Sequence, residues 1–285
     1  NVTSMNGIFA LGYTGHYTTM ALSKLEALDV ANFDTSKVTD MSKMFWGCSS
    51  LTSLDLSNFD TSTVTRMGDC DAFWVTDTPG SWNATNSFGS GMFWGCSSLS
   101  RLNVSGWNTS KVTNRGTMFH GCKSLTELDL SSWDTSSVDV RQMRGMFGTG
   151  YLDVPSEKPS GNENLCSGLR KVTLGSNFKF KGSGAAADVN GFLPPNGTWY
   201  DTTDGTGYSN TALGSVVRTE TRTYTLDPPL RVPAQTGTLT YTGSSLTPTW
   251  DSNYSSSKMT VSENSGVNAG SYTATFTPKD GYYWI

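Results

Sequence analysis

Five cysteines and two histidines are the side chains in this 285-residue sequence best able to ligate a metal, form a bridge or act as a nucleophile. Cys48, Cys96, Cys122 and Cys166 are separated by 48, 26 and 44 residues, and Cys70 lies between the first two. Metal ligation needs converging pairs such as Cys-x-x-Cys or His-x-x-x-His. Neither occurs, and His16 and His120 stand alone. An odd number of cysteines leaves at least one thiol unbridged, while a disulfide at Cys70 stays open. The other four are expected to form a column of small, buried, reduced side chains. No metal and no cofactor is expected.

Carboxylates are the next candidates. Asp29, Asp55 and Asp129 recur at one position, with Asn103 and Thr173 as its other occupants. Glycoside hydrolysis needs two carboxyl groups at a defined separation, one of them kept protonated by its surroundings; a column of exposed acids reads more simply as a solvated face. Asp69, Asp71 and Asp77 offer oxygen ligands, but no Asp-x-Asp-x-Asp-Gly calcium loop surrounds them. There is no Gly-x-Ser-x-Gly elbow and no Gly-x-x-x-x-Gly-Lys phosphate loop. Asn1, Asn83 and Asn196 begin glycosylation sequons, which a threonine-rich chain contains by chance. No catalytic residue is assigned, and the chain is not expected to be an enzyme.

Composition narrows the partners. Charged residues are 15% of the chain, the net charge is −4, and no run of Lys or Arg occurs. Nucleic-acid and anionic-membrane surfaces draw their affinity from such runs, so neither partner is expected. No apolar stretch reaches the eighteen or so residues of a spanning helix, so no membrane insertion of this fragment is expected. The start inside a repeat and the stop at Tyr282-Tyr283-Trp284-Ile285 have the pattern of an excised piece, with export and anchoring signals lying outside it.

The elements that would position these residues are repeats. Residues 25–36 and 51–62 align without gaps at an offset of 26. The frame returns at Leu99, Leu125 and Leu169, offset by 48, 26 and 44. Val2, Met5, Ile8 and Phe9 match Val38, Met41, Met44 and Phe45. In Leu-x-x-Leu-x-Leu the two-residue alternation predicts a short strand with leucines inward and Ala27, Asp29, Ser53, Asp55, Arg101, Asn103, Glu127, Asp129, Lys171 and Thr173 outward. Phe-Asp-Thr-Ser predicts a turn whose Asp34, Asp60 and Asp134 bond nearby backbone N–H groups. Val38, Met41, Met44 and Phe45 fall at helical spacing, which predicts a helical or 3-10 return limb. The fold class expected is a repeat solenoid, leucine-rich-repeat-like with a 26-residue period, short parallel strands and helical or 3-10 return limbs.

The combined motif Leu-x-x-Leu-Asp-Leu-Ser-x-Phe-Asp-Thr-Ser-x-Val-Thr-x-Met-x-x-Met-Phe-x-Gly-Cys resembles the BspA-like, DUF285-type leucine-rich repeat of bacterial surface proteins. Residues 2–174 carry the resemblance, with Arg115 standing where Met41 would and Trp107 where Phe33 would. It implies an extracellular location, cell-wall anchored or secreted, and adhesion to host or neighbouring cells.

Three domains are expected: the solenoid at 1–174, a cap and connector at 175–226, and a β module at 227–285 that opens on Asp227-Pro228-Pro229. In the last, Tyr241-Thr242-Gly243 and Asn268-Ala269-Gly270-Ser271-Tyr272 resemble bacterial immunoglobulin-like (MBG-type) modules, which implies a β-sandwich, here truncated. Insertions at 10–24, 68–91 and 148–165 interrupt the repeats. They supply the aromatic anchors that the strand face lacks, and such anchors dominate binding energy. The candidate ligand-binding residues are therefore Tyr13, Tyr17, Phe73, Trp74, Trp82 and Phe88 on the insertion edge, and Asp55, Arg101, Asn103 and Asp129 on the strand face. The expected partner is an extracellular protein or glycan. The alternatives are a stalk without a specific ligand and, last, a carbohydrate-active enzyme.

Overall fold

A computed structural model gives the fold and describes residues 2–10, 24–68, 91–136, 138, 143, 145–148, 166–180, 197–240, 242–262, 265–266, 273–279 and 282–284. Four of the five leucine-rich segments form strands where their alternation places them, β1 (Ser53–Asp55), β2 (Arg101–Asn103), β3 (Glu127–Leu130) and β4 (Lys171–Leu174), whereas residues 25–30, expected to do the same, form none. β1 pairs parallel with β2, Leu54 opposite Leu102, and β3 pairs parallel with β4, Leu128 opposite Val172. Away from the strands, parallel bridges run from Ser4 to Asp40, Arg66 and Asn114, so neighbouring repeats meet along a second line. A third line follows the return limbs, where Phe45 N donates to Met92 O (2.9 Å), Phe93 N to Met118 O (3.0 Å) and Phe119 N to Met146 O (2.7 Å).

These sideways bonds overturn the expected fold class. The architecture is short strands in four small sheets rather than a solenoid with helical or 3-10 return limbs. The one α-helix among the described residues is α1 (Asn210–Ser215), outside the repeats. A helix spends each N–H on its own carbonyl four residues back. Here Met41 N goes instead to Arg66 O and Gly47 N to Trp94 O, while Met44, Trp46 and Cys48 bond three residues back to Met41, Lys43 and Phe45. The return limb is thus a chain of turns, and Met143 is the one residue in 3-10 conformation among the described residues. In four of the five limbs the residue before the second Met, or before Ile8 in the first, is left-handed: Gly7 (φ 65°), Lys43 (φ 59°), Thr117 (φ 55°) and Gly145 (φ 66°); Gly91, where the insertion enters, is not. A 3-4 spacing of apolar residues arises equally from turns of this kind, which is why the periodicity misled.

The interior is a set of columns, one residue per repeat. Phe9, Phe45, Phe93, Phe119 and Phe147 stack at 5.4–5.8 Å between centroids. Phe33 stacks on Phe59 and Trp107 on Trp133. Cys48, Cys96, Cys122 and Cys166 are buried beside them.

After β4 the chain adds β5 (Thr198–Asp201), β6 (Gly207–Ser209) and β7 (Arg222–Thr225). They extend the sheet to the order β3-β4-β7-β5-β6, with β7 antiparallel to β4. Ser209 caps α1 by accepting from Ala212 N at 3.2 Å. Trp199, Leu213 and Tyr224 join the core from this side.

A β-sandwich is not what the described residues beyond 227 form. β8 (Gln235–Thr236) pairs with β9 (Thr249–Trp250), and β10 (Met259–Ser262) pairs with β11 (Thr275–Pro278), as two separate two-stranded sheets. Leu230 and Met259 are the hydrophobic residues buried there, and a sandwich needs two full faces of them. Trp250 and Tyr254 pack on Phe276 instead.

Candidate functional site

Each repeat turns its corners on one local device. A side-chain oxygen of Asp (carboxylate) or Asn (amide) accepts the backbone N–H two residues on, an Asx turn. Asp29 serves Ala31 N (2.9 Å), Asp55 serves Ser57 N (3.0 Å), Asn103 serves Ser105 N (3.1 Å) and Asp129 serves Ser131 N (2.8 Å). A second column does the same with Asp34, Asp60, Asn108 and Asp134. The Ser57 backbone and hydroxyl hold the Asp55 carboxyl below its ordinary range, and the Ser36 and Ser62 bonds do so for Asp34 and Asp60.

Neighbouring repeats are tied by hydroxyls. Thr35 Oγ1 donates to Asp60 O, Thr61 to Asn108 O, Thr109 to Asp134 O and Thr135 to Lys179 O, all at 2.8–3.1 Å and all buried. The thiols work likewise: Cys96 Sγ donates to Phe45 O (3.1 Å) and Cys122 Sγ to Phe93 O (3.2 Å). Burial pushes the Cys166 thiol up to about 12 and raises Cys96 and Cys122 as well, so none of the three is a nucleophile at neutral pH. Cys96, Cys122 and Cys166 are free thiols. Among the described residues no cluster of three or more His, Cys, Asp or Glu could hold a metal.

His120 continues a stack begun by Trp46 and Trp94, its ring 5.4 Å from Trp94 and nearly parallel to it. Burial draws its pKa down to about 4. Arg115, in the Met slot, is fully buried; Nη2 donates to Thr109 O (2.6 Å) and Asp134 O (2.7 Å), while Nε and Nη1 have no partner. Burial draws its pKa to about 10. The sequence flags Arg115 only as a departure from the repeat, with no hint of its burial.

The predicted strand-face residues Asp55, Arg101, Asn103 and Asp129 are brought together, exposed, on β1, β2 and β3; Ser53 stands opposite Arg101 and Asp55 opposite Asn103. Tyr13, Tyr17, Phe73, Trp74, Trp82 and Phe88 lie outside the described residues, as do His16 and Cys70.

The ends of two insertions are described. In the uninterrupted second repeat, Met44 N donates to Met41 O. The third repeat keeps that bond as Met92 N to Met67 O (2.9 Å), although residues 68–91 intervene. Likewise the bond Cys48 N to Phe45 O reappears as Cys166 N to Phe147 O (3.0 Å) across residues 148–165. Gly68 and Gly91 form the first neck. A Cβ on Gly68 would lie 2.2 Å from Gly116 O, and one on Gly91 2.0 Å from Thr117 O, so only glycine fits either place.

Equivalent side chains in contact, and units bonded to one another through the backbone, define a tandem-repeat protein. The chain belongs to the DUF285 family, described as "Mycoplasma protein of unknown function", which matches residues 3–86 and 80–152, together just over half of the sequence. No curated protein and no solved structure matches it. No helix among the described residues is long and apolar enough to cross a membrane.

Proposed function

We propose that this chain is a bacterial cell-surface or secreted binding protein that recognises an extracellular protein or glycan of a host or neighbouring cell through its repeat unit. The observation that carries the reading is the pair of sealed necks. Each of these two insertions is spliced into a turn whose hydrogen bond survives, so the bonding between repeats continues past it. Binding residues are typically found on loops held by a rigid scaffold. The insertion 68–91 brings Phe73, Trp74, Trp82 and Phe88, the residue types that dominate interfaces. The reading contains no catalytic step: the aligned carboxylates are engaged in turns, and the buried thiols are held protonated.

Replacing residues 69–90 by a short Gly-Ser linker between Gly68 and Gly91 tests it. Loss of binding to host or neighbouring cells, with an unchanged melting temperature, is expected; undiminished binding would refute the insertion as the recognition element. A spacer role has one observation in its favour, the bidentate Arg170–Asp227 pair that fastens the chain after β7 to the residue before β4. A spacer would leave cell binding untouched by every variant of the repeat unit.

A further inference from the structure

One row of residues crosses all five strands of the larger sheet: Glu127, Lys171, Thr225, Tyr200 and Gly207 stand directly opposite one another in turn. Opposed residues share a face, and here two contacts fix it. Lys171 Nζ bonds Glu127 Oε2 at 3.0 Å, and one row along, Thr173 Oγ1 bonds Thr223 Oγ1 at 3.0 Å. The reverse face is closed core, with Leu128, Val172, Tyr224 and Trp199. The outer face therefore begins with the carboxylates of the repeats, continues through the half-buried Thr173 and Thr223, is covered at Thr225, whose hydroxyl accepts from Asp227 N, and reaches a half-buried tyrosine on β5. At the edge strand β6 the row ends on Gly207. The Tyr200 ring leans over it, and a Cβ there would stand 3.1 Å from Tyr200 Cε1.

We propose that this outer face binds an oligosaccharide, with Tyr200 as the stacking platform and Asp129, Thr173 and Thr223 as hydrogen-bonding partners. A pyranose offers an apolar C–H face and a rim of hydroxyl donors, and an aromatic ring beside acceptors matches both. Strands lie about 4.8 Å apart, close to the length of one sugar ring, so a chain laid across them meets one strand per ring. Charge decides the kind of glycan. Asp29, Asp55, Glu127 and Asp129 outnumber Arg101 and Lys171 on the face, and Lys171 is tied to Glu127. Acceptors predominate, which favours uncharged or amino-bearing sugars and repels sialylated or sulfated ones.

This inference deepens the proposed binding role and rests on it, but it uses a different surface from the insertions. An array of neutral, amino-bearing, sialylated and sulfated oligosaccharides, probed with the full chain, tests it. Neutral or amino-bearing glycans should bind. Tyr200→Ala should weaken binding about tenfold, the loss expected for one stacking aromatic, while Tyr200→Phe should preserve it. Should Tyr200→Ala melt early, Asp129→Asn replaces it as the probe: Asn103 makes the same turn, so the fold persists while an acceptor is lost. An array without neutral or amino-bearing binders, binding confined to anionic glycans, or binding indifferent to both variants overturns the proposal. Selective capture of peptides instead, lost in Tyr200→Ala, overturns it too. If cells are bound and deletion of 69–90 abolishes this while Tyr200→Ala does not, the binding role stands and the glycan face falls.

Discussion

Trp107 and Trp133 stack as neighbours at 6.0 Å, yet they differ in one hydrogen bond. Trp107 Nε1 donates to Leu56 O at 2.9 Å, whereas Trp133 Nε1 is buried without an acceptor. Both occupy the position that Phe33 and Phe59 fill in earlier repeats. Trp107→Phe should therefore cost about 1 kcal/mol, while Trp133→Phe removes an orphaned donor and should be neutral or stabilising; paired urea titrations decide it. Arg115→Met restores the repeat's own residue and removes a buried charge. Thr109 O keeps Val112 N and Asp134 O keeps the Thr109 hydroxyl, so neither carbonyl is abandoned. Stability should rise by about 1 kcal/mol or more, as when other buried ions give way to apolar residues. The Asx carboxylates set the acid limit. Because the folded pKa values of Asp34, Asp55 and Asp60 lie below the ordinary 3.8, the stability these three confer is complete above that pH and is lost as pH falls through the lowered values. Asp34→Asn with Asp60→Asn should leave neutral stability unchanged and flatten the acid limb of the unfolding curve, since Asn108 already makes this turn.

At the scale of elements, strands and return limbs were unequally readable from sequence. The alternation in Leu51–Leu56 and its copies placed β1 to β4 correctly, because a strand's side chains report its pleat directly. The return limb was not readable in this way. Val38, Met41, Met44 and Phe45 record which side chains are buried, and a chain of turns buries the same spacing as a helix does. The informative signal was Gly7 and Gly145 at the left-handed position, obscured by Lys43 and Thr117 in the same place. The candidate site divides similarly: the alignment of Asp55, Asn103 and Asp129 followed from the repeat frame, but their commitment to turns depends on backbone geometry. Tyr200 could not be attached to that face, since the pairing of β7 with β4 joins residues far apart in sequence. Lys43→Gly should relieve a left-handed residue and raise stability by up to about 1 kcal/mol. Gly91→Ala, by contrast, drives a methyl into Thr117 O and should lower the melting temperature sharply. Differential scanning calorimetry on the two variants separates these effects.

For the molecule as a whole, the segment after β7 is fastened rather than free. Arg170 grips Asp227 with two nitrogens, Leu226 N donates to Arg170 O (2.9 Å), and Leu230 N donates to Tyr283 O (2.8 Å). Prolines at 228 and 229 stiffen the intervening chain. Arg170→Ala should therefore speed proteolytic cleavage near residue 227 while leaving the repeat core protected in hydrogen exchange. The Arg170 side chain is 57% exposed, so little loss of global stability is expected.

The turn bonds that persist beneath the insertions have an evolutionary consequence. A segment whose two ends are already joined by the scaffold contributes to folding chiefly through the entropy of closing it, and doubling its length costs only about 0.6 kcal/mol. Residues 69–90 can therefore be exchanged, lengthened or shortened by mutation with little selection from folding. Sequence can therefore diversify there without disturbing the repeats, while the two glycines at its base, Gly68 and Gly91, cannot change.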